Sequence, residues 1–297
     1  MQRIGELAAF GTAVCWTIGA LLFEQGIKRI GVLAVNFFKV TVAFILLTIT
    51  AALLRGMPIP FDASARTWFF LVLSGMVGFV LCDTFLLTAY DTVGPRVAML
   101  FMALSPPMTA GIAFLFLGES LGHRGFLGMS LVICGIIMTV FGRQNSFTLS
   151  NMARDDRKGY ICAFISSFGQ SIGMNLTKIG VSGYDAVSGT QIRVFAAIVG
   201  FGLLSLFVDK GRNIRKAVKN AEGLKYTSIG AVFGPFLGVT LSLYAVQRIS
   251  AGIVSTLIGL TPILILVPEM FLFKKKIRPL EIAGAFVAVC GTAVFFL

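Results

Sequence analysis

From Val97 to Leu117, from Tyr226 to Gln247 and from Ile249 to Pro268 the chain carries no charged side chain. A helix needs about 20 apolar residues to cross a hydrocarbon core ~30 Å thick, and runs of this length meet that requirement. Shorter charge-free stretches, Gly125–Gly142 and Gly159–Thr177, recur between them. With single charges allowed inside the others, helices are expected near 4–25, 33–54, 67–90, 95–118 and 124–142. A second set follows near 158–179, 186–208, 225–247, 250–273 and 279–297. Membrane strands would instead alternate over segments of about 10 residues, and these runs are continuous. The expected fold is an all-α integral membrane protein of ten transmembrane helices.

Composition agrees. The chain is 57% hydrophobic and only 13% charged, where soluble domains carry about 25% charged residues. The first helix starts almost at Met1 with no basic n-region beyond Arg3, so no cleaved signal peptide is expected. Cys15, Cys82, Cys134, Cys162 and Cys290 all fall inside expected spans and are read as free, buried thiols. The net charge of +12 sits in the connections. No groove-reading motif or stacking aromatics accompany it, so a lipid bilayer rather than nucleic acid is the expected partner.

The chain also repeats itself. Shifted by 154 residues, Phe10 meets Phe164, Gly19 meets Gly173, Gly26 meets Gly180, and Lys39 meets Arg193. Two residues further apart, Gly78 meets Gly234, Ala89 meets Ala245, Pro106 meets Pro262, and Cys134-Gly135 meets Cys290-Gly291. Residues 1–143 and 158–297 thus read as two copies of one five-helix unit joined by a loop at 144–157. Five is odd, so the second copy enters the membrane from the opposite face. Two inverted five-helix repeats are an arrangement that secondary transporters use for alternating access.

Several short motifs occur in order in both copies. A basic residue leads into an apolar run at Phe37-Phe38-Lys39-Val40 and at Gln191-Ile192-Arg193-Val194. LLTAYDTVG spans 86–94 and SLYAVQRIS spans 242–250. Leu104-Ser105-Pro106 and Leu260-Thr261-Pro262 follow, and Leu117-Gly118-Glu119-Ser120-Leu121 closes the fourth helix. Over nearly its whole length the chain resembles the EamA-type branch of the drug/metabolite transporter superfamily. It departs from that pattern at Lys274-Lys275-Lys276-Ile277, where Gly-Glu is usual. The resemblance implies a ten-helix multi-pass protein of the cell membrane, plasma or bacterial inner. It also implies export or exchange of small metabolites, such as amino acids, through a cavity between the halves. On orientation two arguments oppose each other. With the N-terminus inside, 17 basic residues would lie outside against 6 inside, so the positive-inside rule puts both termini out; the resemblance implies both in.

Charges at membrane depth cost roughly 2.5–3.5 kcal/mol on insertion scales, so each needs a reason. Lys39, Asp83 and Arg193 stand inside expected spans. Lys39 and Asp83 fall about seven residues, or ~10 Å, below the same face. Such a pair is either structural or a coupling element in which Asp83 exchanges a proton, making protons the candidate coupling ion. Arg193 approaches from the opposite face, and Val239 stands where a second Asp83 would be. Its guanidinium therefore either snorkels or binds an anionic group of a small-molecule substrate. Trp16 and Gln170 occupy matching positions and are candidate cavity linings. Helix–helix hydrogen bonding is expected for Asn175 and Gln191, interface anchoring for Tyr90, and an ion pair with Lys274–Lys276 for Glu269. Pro106 and Pro262 are expected to kink equivalent helices and are hinge candidates. Gly128 and Gly135 share one face of the fifth helix, as Gly284 and Gly291 share one of the tenth, and suit close helix packing.

One histidine, His123, excludes histidine triads and multi-histidine metal sites. No phosphate-cradling loop is present, and no cofactor is expected. A membrane-embedded enzyme on lipid-linked substrates, or a channel, are the alternative classes. The first lacks clustered acids or nucleophiles at one face, and the second needs a polar pore ring. The working unit is read as a monomer or a homodimer.

Overall fold

Gly31 and Gly94 adopt φ 78°, ψ 161° and φ 85°, ψ 160°, a backbone region essentially closed to other residues. Each lets one long helix end and the next begin at once. In the computed structural model the described residues are 2–105, 107–109, 111–112, 123–143, 154–181, 184–246, 257–271, 274 and 277–296. Among these every regular element is helical. Helix α1 is Gln2–Ile30, α2 Val32–Arg55 and α3 Ala65–Thr92. Then come α4 (Pro95–Met102), α5 (His123–Arg143), α6 (Arg154–Gly180), α7 (Ala186–Asp209) and the short α8 (Arg212–Val218). Helix α9 covers 221–246, α10 Thr261–Phe271 and α11 Pro279–Phe296.

Five of these, α1, α2, α3, α5 and α7, are long and apolar enough to cross a membrane; α10 and α11 are shorter apolar helices. The outer surface is apolar, with Leu53, Phe207 and Phe271 among its most exposed side chains. Small polar groups such as Thr12, Ser74, Ser166 and Ser171 are buried instead. This suits a lipid solvent, in which packing and interhelical hydrogen bonds hold helices together. Cys134 and Cys290 belong to that outer surface, correcting the expectation that all five thiols are buried.

The halves pack crosswise. Helices α1 and α2 lie against α9, with α10 beside α1, while α6 and α7 lie against α3, with α4 beside α6. A Cβ added to Gly19 would meet Gly234 at 3.2 Å, and one added to Gly173 would meet Gly78 at 2.7 Å. These are the same contact under the repeat. Between the two bundles, Val40, Ala43 and Leu47 of α2 interlock with Val194, Ala197 and Phe201 of α7. Helices α5 and α11 form a separate, closely packed pair.

Two features of the long helices differ from expectation. Helices α3 and α9 each pass into a π-helical segment at equivalent positions, Met76–Leu81 and Val232–Gly238. The extra residue per turn re-aims the side chains that follow, and such segments recur at functional sites. Second, Pro262 stands in the first turn of α10, behind a turn at Gly259 and Leu260. It starts a helical segment, where its missing N–H costs nothing, rather than kinking a continuous helix. The equivalent turn in the first copy is Ala103–Leu104; Pro106 itself, like Leu117–Leu121, lies outside the described residues.

Around the turn at 103–104, polar side chains of α6 add hydrogen bonds to backbone carbonyls. Ser167 donates to the Phe101 carbonyl (2.7 Å), Ser171 to Ser105 (3.0 Å) and Asn175 to Thr109 (3.3 Å). The spacing of four on both helices keeps all three on facing stripes. Residues Ala13, Thr17 and Leu21 of α1 occupy the equivalent positions, so the second copy lacks two of these three donors.

At the end of the bundle that holds Arg55, the connections are pinned by polar contacts. Arg55 pairs with Asp62 (2.7 Å) and bonds Ser188, and the Tyr184 hydroxyl donates to Asp62 (2.8 Å). Hydrogen bonds from Tyr184 and then Arg55 hold the Asp62 carboxyl below the usual aspartate range. A depressed carboxyl stabilises the fold above its unfolded pKa of ~3.9, and that stability is lost as pH falls through the folded value. Tyr184→Phe is therefore expected to move Asp62's titration upward towards ~3.9, read by carboxyl NMR. An unmoved titration would show that Tyr184 does not hold the carboxyl down.

Candidate functional site

Lys39 lies on α2 and Asp83 on α3 immediately after the π segment, so one charge sits in each bundle. Their side chains meet, Nζ to Oδ2 at 2.8 Å, with 7% and 13% exposure. Asn36, one turn before Lys39, donates to the Asp83 backbone carbonyl at 3.3 Å and fixes the approach of the two helices. The Phe23 ring lies 5.3 Å from the Lys39 ammonium, adding a cation–π contact. The pair whose existence the sequence left open is thus formed, nearly dry, across the bundle interface.

Arg193 enters from α7. Gly75 of α3 makes room for it: a Cβ there would lie 2.5 Å from the Arg193 carbonyl oxygen. The guanidinium stacks over Phe79 at 4.9 Å, and its Nε is buried without a hydrogen-bond partner. No described residue forms an ion pair with it. Its Nη2 passes within 3.2 Å of where a Gly78 Cβ would stand, and Gln170 Oε1 within 3.9 Å of the same point. Gln170 also faces the Cys82 thiol at 3.8 Å. Arg193, Gln170, Cys82 and the Asp83–Lys39 pair therefore surround the π segment of α3. That segment places a nearly buried acid, a cation paired with it and a cation with no ion-pair partner among the described residues around one stretch of backbone.

Trp16 does not join this group. Its ring packs on Gly238, the position equivalent to Cys82, so it repeats Gln170's contact on the other side of the pseudo-symmetry. Gln191 is structural: its Nε2 donates to Thr48 (2.8 Å) and to the Pro58 carbonyl (2.6 Å). Tyr90 is 4% exposed and belongs to the core, not to a lipid interface.

A second charged cluster escaped the sequence reading. At the end of the bundle that holds Ile30, Arg96 Nη2 lies 2.6 Å from Glu281 and its Nε 3.5 Å from Glu269. Both carboxylates are buried; Arg96 is thus a partner of Glu269 that the sequence did not suggest, while Lys275 and Lys276 of the expected pair lie outside the described residues. A cavity of about 650 Å³ adjoins them, lined also by Glu24, Lys28, Tyr90 and Arg278. Only proximity in space reveals this group. In sequence its members stand at the ends of three helices, where charges are ordinary. Among the described residues no cluster of metal-ligating side chains is found.

The profile of the EamA-like transporter family matches residues 3–141 and again 157–297. No curated protein matches the chain. A solved crystal structure, 15% identical in sequence, aligns over 99% of this chain and 96% of its own with a TM-score of 0.62, a likeness of fold.

Proposed function

The chain belongs to the EamA-like transporter family, and from that membership in a class of membrane transporters we propose a secondary transporter that exports or exchanges small metabolites by alternating access. In this reading residues 1–143 and 158–297 form ten spans as two inverted repeats, joined by 144–157 in a cell membrane. The crosswise packing of the bundles supports it. Inverted copies exchange conformations and so open the cavity to one face and then the other. Pro262, at the head of a helical segment beside a turn, remains the hinge candidate among the described residues.

The observation that carries the substrate class is the unpaired Arg193 beside a satisfied Lys39–Asp83 pair. A guanidinium at membrane depth with no carboxylate in salt-bridge contact among the described residues is costly to keep. An anionic or zwitterionic substrate, such as an amino acid, offers it the bidentate carboxylate it lacks. Lys39–Asp83, spanning the interface, is the coupling element, with a proton on Asp83 releasing Lys39 and loosening the bundles.

The test is a thermal-shift screen of amino acids, organic acids, nucleotides and amines against wild type and Arg193→Ala. A ligand at 100 times its Kd stabilises by about 2.7 kcal/mol, a shift of a few degrees. Anionic or zwitterionic compounds are expected to raise the wild-type Tm, with the shift lost in Arg193→Ala. An equal shift in both proteins would remove Arg193 from the site.

A further inference from the structure

We propose that Arg96 is a second working residue of the transport cycle, whose ion pairs gate the end of the bundle that holds Ile30. The inference rests on the alternating-access reading and adds to it which contacts must part for that end to open.

Arg96 belongs to α4, in the bundle of α3, α6 and α7, and Glu269 to α10, in the bundle of α1, α2 and α9. Their contact therefore crosses the interface that alternating access must open. Glu281 belongs to α11 and is held independently. Its Oε1 accepts from the Arg278 backbone N–H (3.1 Å), a capping-box geometry, and Arg278 Nη1 donates to the Gly142 carbonyl (3.3 Å) on α5. Arg96 thus fastens one bundle both to the other and to the α5–α11 pair. Its Nη2 is hydrogen-bonded to Glu281, while Nε and Nη1 are buried without a hydrogen bond, so Glu269 holds it by charge at 3.5 Å.

The location fits a gate. The cavity of about 650 Å³ lies on one side of the clasp, and Tyr90 lines it. Seven residues before Tyr90, on the same face of α3, is Asp83. The clasp and Tyr90 therefore stand at the bundle's end beyond the charged centre.

The two ends are closed by different means. Under the repeat Arg96, Glu269 and Glu281 correspond to Gly252, Ala113 and Gly125, none of them charged. At the opposite end Arg55 bridges to Asp185 at 3.9 Å, with side chains 23% and 37% exposed. Exposed pairs of that kind are screened and weak, whereas separating a buried one strands charge out of water. The protein therefore rests closed at the Arg96 end, and a cargo must favour the open state enough to part the clasp.

The experiment labels Lys158→Cys on α6 and Lys225→Cys on α9 with spin labels, in a background with Cys134 and Cys290 replaced by serine. Pulsed electron resonance in lipid nanodiscs then reads the distance between the bundles. Arg96→Gln/Glu269→Gln/Glu281→Gln removes all three charges of the clasp together, and its thermal unfolding checks that it folds. The fraction of long distances is expected to rise about tenfold over wild type, while Arg96→Lys, which keeps a cation, stays close to wild type. A wild-type distance distribution in the folded triple variant would overturn the gate. If the distances shift but ligand stabilisation survives Arg193→Ala, the gate stands and the arginine site falls.

Discussion

Asp83→Asn is expected to lower substrate flux in proteoliposomes by ~10²-fold or more, the scale of losing a positioned proton-transfer group. It is also expected to destabilise the fold by about 3–5 kcal/mol, because the amide leaves Lys39 as an unpaired buried cation. The Lys39–Asp83 contact is 2.8 Å long and largely dry, so neither partner is solvated in the other's absence. Loss of activity alone would not separate coupling from collapse. The decisive variant is Lys39→Met/Asp83→Leu, which removes both charges and keeps the volume. Replacing a whole buried pair by packed apolar groups is neutral or stabilising in other proteins, so its Tm is expected at or above wild type. Its transport should nonetheless be lost, because nothing remains to take up a proton between the bundles. A double variant that transports normally would reduce the pair to a structural clip.

How much of this was legible depended on where the membrane makes a residue expensive. Lys39, Asp83 and Arg193 announce themselves because charge at depth is rare. The first two then required only helix geometry to be placed at one level. The glycines were legible for a similar reason, since Gly128, Gly135, Gly284 and Gly291 hold one register in both copies. Arg96, Glu269 and Glu281 were not, because charges at helix ends cost little and carry no flag. Glu269 was assigned to the nearest lysines in sequence, and the partner that α4 brings to it, Arg96, comes from 173 residues away. The π segments leave no compositional trace beyond Gly75, Gly78, Gly234 and Pro235. Yet they decide which way Asp83 faces. The turn at Ala103–Leu104 was foreshadowed by the prolines that follow it. The carbonyls of Phe101, Ser105 and Thr109 around it meet Ser167, Ser171 and Asn175, whose spacing of four was visible but had no partner until the helices were packed.

Gly284→Ala is expected to cost about 3 kcal/mol or more, although alanine is the better helix former by about 1 kcal/mol. A Cβ at Gly284 would lie 2.6 Å from the Gly135 carbonyl oxygen and 2.7 Å from the Thr139 nitrogen, and would strike the Thr139 hydroxyl. One at Gly135 would lie 2.5 Å from the Gly284 carbonyl oxygen. Backbone atoms on both sides cannot rotate away, so α5 and α11 must separate along the seam that Gly291 and Gly128 continue. Gly202→Ala is the control: its nearest neighbour is Phe37 at 3.8 Å, and the same methyl should be neutral or stabilising there. Thermal unfolding of both variants in one detergent checks the contrast. The seam also anchors Glu281, so Gly284→Ala should loosen the Arg96 clasp and lengthen the distance between the bundles at that end. A small cost for Gly284→Ala would mean that α11 slides on α5 rather than standing fixed. In that case Arg96 would be clasping a moving part, and opening would begin at α11 instead of at α10.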